Sequence, residues 1–547
     1  MSNRLSPSEQ PVAQAASIPD TPTERLNTKA AGIIGVAVMC SRLLGVLREL
    51  IFAALFGGGA AMDAFTAAFR IPNILRDLFA EGALSTAFVT TFSKTIVRGG
   101  DAAAWRLANK VATMTTVVLG LICVAGVLLS GPLVSLFAWG FDPAKAELTV
   151  HLTRIMFPFI LLVSLAALVM GMLNAKNVFG MPAMASSFFN IGSIVGGVVL
   201  GYWLDPHFGW KSLTGLAIAT VIGGTLQLVV QLPSLRRAGY RFRPDFQWRD
   251  AGVRAILLLM GPSVIAAGTT QVNVLANSMF ASALGNGAIF GLSIAFRLMQ
   301  LPLGLFGVAL GTVTLPLLSR LVATGQSEGF RSELARAMRL MMLLTLPSTV
   351  GLMMLAEPIM SMLYQHAKFT AVEAAHAAAA LRFYAIGLAG YAALKVLVNA
   401  FYALERRKTP MMVSLLAVGL NLLFNWVFTF RLGWGTRGLA FSTSLIATCN
   451  FLLLYVLMRS QLKGLETRRM VMTLVKVAMA CLGLIAVCAA SMHWVLADWA
   501  TMPFWRKFGS LMSTIGVAGA AFILAGLALK IPEMHEIADT IRRRIKR

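Results

Sequence analysis

Arg42, Arg48, Arg70, Arg76, Arg297, Lys395 and Lys476 all fall inside runs of apolar residues long enough to cross a lipid bilayer as helices. An arginine near the bilayer centre costs on the order of 2.5–3.5 kcal/mol on insertion scales. A cluster of them persists only where it lines a water-filled cavity or pairs internally. Four of the seven lie between residues 42 and 76, in company with Glu49, Asp63, Asp77 and Glu81. Arg70, Asp77 and Glu81 stand at i, i+7 and i+11, which is one helix face. Arg42 and Arg48 are six apart and do not share a narrow stripe. Guanidinium groups form paired hydrogen bonds with phosphate oxygens, so the chemistry these residues offer is the holding of a phosphate-bearing anion. The bland reading is that they satisfy the nearby carboxylates and helix carbonyls and only tie helices together, but that task needs fewer cations. Arg48 beside Glu49 and Arg76 beside Asp77 could partly snorkel to the interface, as could the solitary Lys395 and Lys476.

Other chemistries are poorly represented. There is no GxxxxGK phosphate loop, no HExxH and no GxSxG. The six histidines are scattered without ligand spacing. Cys40, Cys123, Cys449, Cys481 and Cys488 lie in or beside apolar runs and read as buried hydrophobes. We expect no catalytic residues, no metal and no cofactor: a transporter, not an enzyme.

The elements that must position the arginines follow from composition. The 547 residues are 57% hydrophobic and 13% charged, about half the ~25% charge of a soluble domain. Apolar windows predict an all-α polytopic membrane protein of about fourteen transmembrane helices, the first near 31–56 and the last near 504–529. Residues 1–29 are polar and lack an apolar core, so they read as a disordered tail. The basic residues sort by loop parity. With a cytoplasmic N-terminus, 31 of the 47 Lys and Arg fall in cytoplasmic tails and loops and nine near outer helix ends. The positive-inside rule therefore predicts both termini in the cytoplasm. Trp139, Trp203, Trp210, Trp434, Trp494, Trp499 and Trp505 fall near outer helix ends, as an interfacial belt should. Most of the +24 net charge is then topology and attraction to anionic lipid heads, which argues against a nucleic-acid partner.

The two halves of the chain can be laid on each other. Ala68-Phe69-Arg70 recurs as Ala295-Phe296-Arg297, 227 residues later; Arg154, Ala175 and Pro182 match Arg382, Ala403 and Pro410 at 228. Six helices per repeat is an even number, so both repeats enter the membrane in the same direction. Such parallel repeats make two lobes in pseudo-two-fold arrangement with the substrate between them. Arg297, the equivalent of Arg70, then puts a cation on the opposite lobe. The expected division is residues 1–29 as tail, 30–240 as N-lobe, 241–465 as C-lobe, 466–530 as two further helices, and 531–547 as a basic cytoplasmic tail. GxxxG spacings at Gly192/Gly196 and Gly197/Gly201 read as helix packing.

The stretch Ser41-Arg42-Leu43-Leu44-Gly45, Arg48-Glu49, Asp63-Ala64-Phe65, Phe69-Arg70-Ile71-Pro72-Asn73, Arg76-Asp77, Glu81-Gly82-Ala83 closely resembles the start of the MurJ/MviN lipid II flippase family. That family belongs to the multidrug/oligosaccharidyl-lipid/polysaccharide exporter superfamily. The likeness continues through Phe157-Pro158, Gly180-Met181-Pro182, Arg297-Leu298-Met299 and Lys408-Thr409-Pro410, over about residues 28–530. It implies alternating-access transfer of an undecaprenyl-pyrophosphate-linked disaccharide pentapeptide, the peptidoglycan precursor, from the inner to the outer leaflet of the bacterial inner membrane. It implies substrate-binding roles for Arg42, Arg48, Asp63, Arg76 and Arg297, with Ser41 beside the first and Arg70, Glu49 and Glu81 in support. It also implies that the two extra helices form a groove for the lipid tail. The expected partners are lipid II and the phospholipid bilayer. The protein is expected as a monomer, with the cell-wall synthesis machinery as a candidate associate. Two departures stand out: Phe296 and Gln300 occupy places where many relatives carry acids. The rival reading is another polysaccharide-lipid or drug exporter of the superfamily. Net transport needs a membrane potential or an ion gradient, and the sequence does not choose between them.

Overall fold

The computed structural model describes residues 28–78, 84–209 and 213–545. The expected tail lies outside them up to residue 27, as do Glu81 and Trp210. Every regular element among the described residues is helical. The first half holds α1 (Thr28–Phe56), α2 (Ala60–Arg76), α3 (Ser85–Leu128), α4 (Ser130–Phe137), α5 (Pro143–Met156), α6 (Phe159–Ala175), α7 (Gly180–Gly196), α8 (Asp205–Phe208), α9 (Thr214–Val229) and α10 (Leu232–Arg237). The second holds α11 (Ala251–Ser282), α12 (Ala288–Pro302), α13 (Val308–Ala323), α14 (Ser327–Met354), α15 (Ala356–Tyr364), α16 (Ala371–Ile386), α17 (Leu388–Ala403), α18 (Lys408–Trp426) and α19 (Gly435–Gln461). After them come α20 (Thr467–Trp494), α21 (Phe504–Ala528) and α22 (Pro532–Ile545).

The sequence offset recurs in the backbone. Pro143 opens α5 and Ala371 opens α16, and Gly180 opens α7 and Lys408 opens α18, each pair 228 apart. Both α7 and α18 unwind into wide π turns, at Gly197–Leu204 and Val427–Arg431. The breaks at Leu129 and Leu355 share nearly the same backbone angles, φ −91°, ψ 11° and φ −101°, ψ 13°. Weak residue matches and local backbone geometry thus point to the same duplication.

Ten of the described helices or helix runs are long and apolar enough to cross a membrane, and eleven if α16 and α17, bent by 42°, count as one span. The windows beyond these fall on α1, α2 and α11. Of these, α1 and α2 carry Arg42, Arg48, Glu49, Asp63, Arg70 and Arg76, and α11 carries Gln271, Asn273 and Asn277. Outward-facing tryptophans include Trp203, Trp494 and Trp505, each at least 66% exposed, as a lipid interface requires.

The GxxxG spacings serve internal packing. A Cβ on Gly192 would lie 3.0 Å from the Cα of Gly223, and one on Gly196 would meet Ala219 Cβ at 2.8 Å, so α7 and α9 cross backbone to backbone. One buried cluster joins the halves through Met62 and Phe65 of α2 and Ile289 and Phe290 of α12. Another gathers α14, α20 and α21 around Val477, Leu484 and Phe522. Residues 531–539 pack on the bundle. Ile531 and Met534 are buried in that last cluster, and Glu533 and Glu536 of α22 pair with Arg339 and Arg336 of α14. The apolar residues at Ile531 and Met534, one helical turn apart, make this face of the helix stick.

Candidate substrate-binding cavity

Glu49 on α1 sits between two guanidinium groups, pairing closely with Arg297 of α12 and lying 4.0 Å from Arg48. Arg48 also lies over the Phe189 ring, 5.1 Å from its centroid, a cation–π placement suited to a desolvated site. Arg297 and Arg76 are the like charges that act on Arg48, and Arg297 also acts on Arg70. The three residues at Arg48, Glu49 and Arg297 line a narrow pocket, which shares Thr66, Phe69 and Arg297 with a cavity of about 470 Å³. Arg70 and Asp77 line that larger cavity. Asp77 accepts from Arg76 Nη2 at 2.7 Å and from Gln271 Nε2 at 3.3 Å, so it joins α2 to α11. Arginines from both halves thus meet around one space, and the carboxylates there are each engaged by arginine. Bidentate cations with surplus charge can hold a pyrophosphate.

The other residues singled out from the sequence lie elsewhere. Asp63 is fully buried and is not on the cavity wall. Its carboxylate accepts from Lys145 Nζ at 2.9 Å, Gly287 N at 2.7 Å and Phe290 N at 2.8 Å. It therefore caps the N-terminus of α12 with a negative charge, where the helix dipole favours one. Ser41 offers its backbone carbonyl to Asn190 Nδ2 at 3.0 Å. Arg42 is exposed and reaches the backbone at Gly304, where a Cβ would stand 2.7 Å from its Nη1. Arg76 is held on Asp77 beside the cavity. Lys476 donates to the Lys530 carbonyl.

Asp63 belongs to a clasp that shuts one end of the molecule. Lys145 Nζ also reaches Asn286 Oδ1 at 3.2 Å. Gly58 N donates to Glu373 Oε1 at 3.1 Å, and Lys368 N to the Ala54 carbonyl at 3.0 Å. Gly140 N donates to Ser282 Oγ at 3.2 Å. Each of these contacts joins the first half to the second. Gly287 has φ +84°, and a Cβ there would come within 2.7 Å of the Gly58 carbonyl oxygen, so only glycine fits without strain.

Lys145 was the residue that sequence reasoning missed, read as an outer-end charge. The available signal was Asp63 itself, an acid in an apolar helix that demands a counter-ion. Gln271, Asn273, Tyr384 and Tyr391 on the cavity wall carried no such signal.

A many-helix bundle around a cationic cavity, clasped at one end, is the fold of a membrane exporter. A solved structure titled as an inward-facing multidrug resistance MATE family transporter of the MOP superfamily aligns with TM-score 0.64 at 15% identity, over 80% of this chain and 99% of that one. A structure titled "Lipid II flippase MurJ, inward closed conformation" aligns with TM-score 0.74 at 22% identity, over 94% and 99% of the two chains. In sequence, the family described as "Lipid II flippase MurJ" matches residues 52–508. A probable lipid II flippase MurJ from Vibrio cholerae is 34% identical over 518 residues, 92% of this chain and 97% of the relative. The lipid II flippase MurJ of Burkholderia cenocepacia is 34% identical over 467 residues, 83% and 89% of the two. The chain belongs to the lipid II flippase MurJ family.

Proposed function

We propose that this protein is a lipid II flippase of the bacterial inner membrane. It carries undecaprenyl-pyrophosphate-linked peptidoglycan precursor from the inner to the outer leaflet by alternating access. Family membership over most of the chain supports the substrate. The observation that carries the mechanism is that Arg297 of the second half lines both the pocket of Arg48 and the adjoining cavity of Arg70, two arginines of the first half. In this reading fourteen helices form an N-lobe (30–240), a C-lobe (241–465) and a terminal pair (466–530) whose groove holds the lipid tail. Both termini are cytoplasmic, and the protein acts as a monomer beside the cell-wall machinery.

Arg48, Arg70, Arg76 and Arg297 meet the pyrophosphate, and Arg42 meets it at the seam between α1 and the Gly304 segment. Glu49 holds Arg48 and Arg297 while the cavity is empty and yields them to phosphate. Asp63 acts at the clasp, which is the outer gate. Opening it while the opposite end closes exposes the site to the other leaflet. The charged head is sheltered throughout, and the chains stay in lipid.

The test is lipid II accessibility at the outer leaflet of cells that depend on this protein alone, comparing wild type with Arg297→Ala at equal expression. Export by wild type and its collapse in the variant are expected. Equal export by both would make Arg297 structural. Export by neither would overturn the substrate, and a polysaccharide-linked lipid would be tried next.

A further inference from the structure

The larger cavity has a wall that the anion reading does not use. Phe296, beside Arg297 on α12, packs edge-on against Tyr384 of α16 at 5.2 Å and Tyr391 of α17 at 6.4 Å between ring centroids. All three rings line the cavity. The same space is lined by Asn73 of α2 and by Gln271 and Asn273 of α11. The side-chain oxygens of Asn73 and Asn273 are buried without a hydrogen-bond donor. Gln271 and Asn73 donate to Asp77, whose carboxylate is also taken by Arg76. The wall therefore offers aromatic surface and amide acceptors but no free negative charge.

We propose that this wall is a carbohydrate subsite, which receives a pyranose attached to the phosphate end of the lipid. The proposal rests on the anion reading above and extends it. A sugar ring has apolar C–H faces that lie on aromatic rings, and hydroxyl and acetamido groups that donate to amide oxygens. Both complements occur here, next to Arg70 and Arg297, as a sugar directly bonded to a pyrophosphate requires. A volume of about 470 Å³ falls within the ~300–1,000 Å³ range of small-ligand sites. An organic cation would find neither an unpaired carboxylate nor relief from the arginines.

The experiment measures binding of two lipids to the purified full-length protein in nanodiscs. One is a bare polyprenyl pyrophosphate, and the other carries an N-acetylated disaccharide on the same tail. Wild type is expected to bind the glycosylated lipid at least tenfold more tightly. Tyr391→Leu and Asn273→Ala should erase most of that advantage and leave affinity for the bare lipid within twofold. Tyr391→Phe, which keeps the ring, should retain the advantage and shows that the position tolerates substitution. If wild type binds both lipids equally, the subsite is wrong while the anion site stands. If both variants weaken the two lipids alike, the wall is structural and the proposal fails. If wild type binds neither lipid, the anion reading itself falls.

Discussion

Replacing Asp63 by alanine removes the acceptor that links α2 to α5 through Lys145 and to α12 through Gly287 and Phe290. The side chains of Asp63 and Lys145 are 0% and 4% exposed. Deleting one partner of such a pair strands the other charge, at a cost of about 3–5 kcal/mol. At 1.4 kcal/mol per tenfold, that is roughly two to three and a half powers of ten in the equilibrium affected. That cost belongs to the first of two processes. Losing Lys145's counter-ion weakens the fold of the first half. Losing the two backbone donors of α12, each worth about 1.5–3 kcal/mol to a charged acceptor, loosens the joint between the halves. Lys145→Met removes the first term and one neutral contact across the halves, to Asn286 Oδ1, while Asp63 would still cap α12. Ala288, 5% exposed at the start of α12, supplies the reporter. An Ala288→Cys background is labelled with a membrane-impermeant maleimide, and thermal stability is followed in parallel. Asp63→Ala should lower stability and raise the labelling rate at least tenfold, whereas Lys145→Met should lower stability with little added labelling. Equal labelling rates in the two variants would refute the claim that Asp63 holds the halves together.

Gly287→Ala forces a side chain into a left-handed conformation, costing about 1–2 kcal/mol, and against the Gly58 carbonyl. The same labelling assay should show a more open end; unchanged labelling would mean that the two backbones do not bear on each other. Arg339 bridges Glu466 at 2.8 Å and Glu533 at 2.5 Å. Arg339→Ala should cost about 2–3 kcal/mol and raise hydrogen exchange across 532–545, and preserved protection there would show that α22 is held by apolar contacts alone. The Lys110 ammonium, 2.7 Å from Asp250, holds that carboxyl below the usual carboxylate range. Its folded value is lowered, so the pair stabilises above the unfolded value near 4 and the stabilisation disappears as pH falls through the folded value. Lys110→Met should therefore cost about 0.5–1 kcal/mol at neutral pH, discounted for partial exposure. The difference should vanish in strong acid; a difference that persists there would refute the ion-pair account.

The cavity arginines were legible because charge inside an apolar run is anomalous on composition alone. Arg48, Glu49 and Arg297 line one pocket, and Arg70, Asp77 and Arg297 line the cavity beside it. Asp63 carried the same anomaly and lies elsewhere, because spacing along one helix says nothing of a partner 82 residues away at Lys145. The shared offset was readable in the residues and recurs in helix starts 228 apart; the π turns at Gly197–Leu204 and Val427–Arg431 were not readable, since no residue pattern marks them. The basic composition of residues 531–547 read as a cytoplasmic tail and gave no sign of the contacts that hold α22 to α14.

In the cycle proposed above, the arginine surplus also sets the electrical character of transport. With the exposed Arg42 at the seam set aside, Arg48, Arg70, Arg76 and Arg297 stand against Glu49 and Asp77, so four cations less two anions leave the empty site near +2. A pyrophosphate diester brings about two negative charges, which makes the loaded site nearly neutral. The stroke that carries lipid outward then moves little net charge through the field. The empty site, returning toward a negative interior, carries its surplus down the potential, worth about 2.3 kcal/mol per charge that crosses 100 mV. On this arithmetic the voltage does no work on the cargo. It resets the carrier, and a depolarised cell would strand the protein open outward, able to release its load but slow to come back for another.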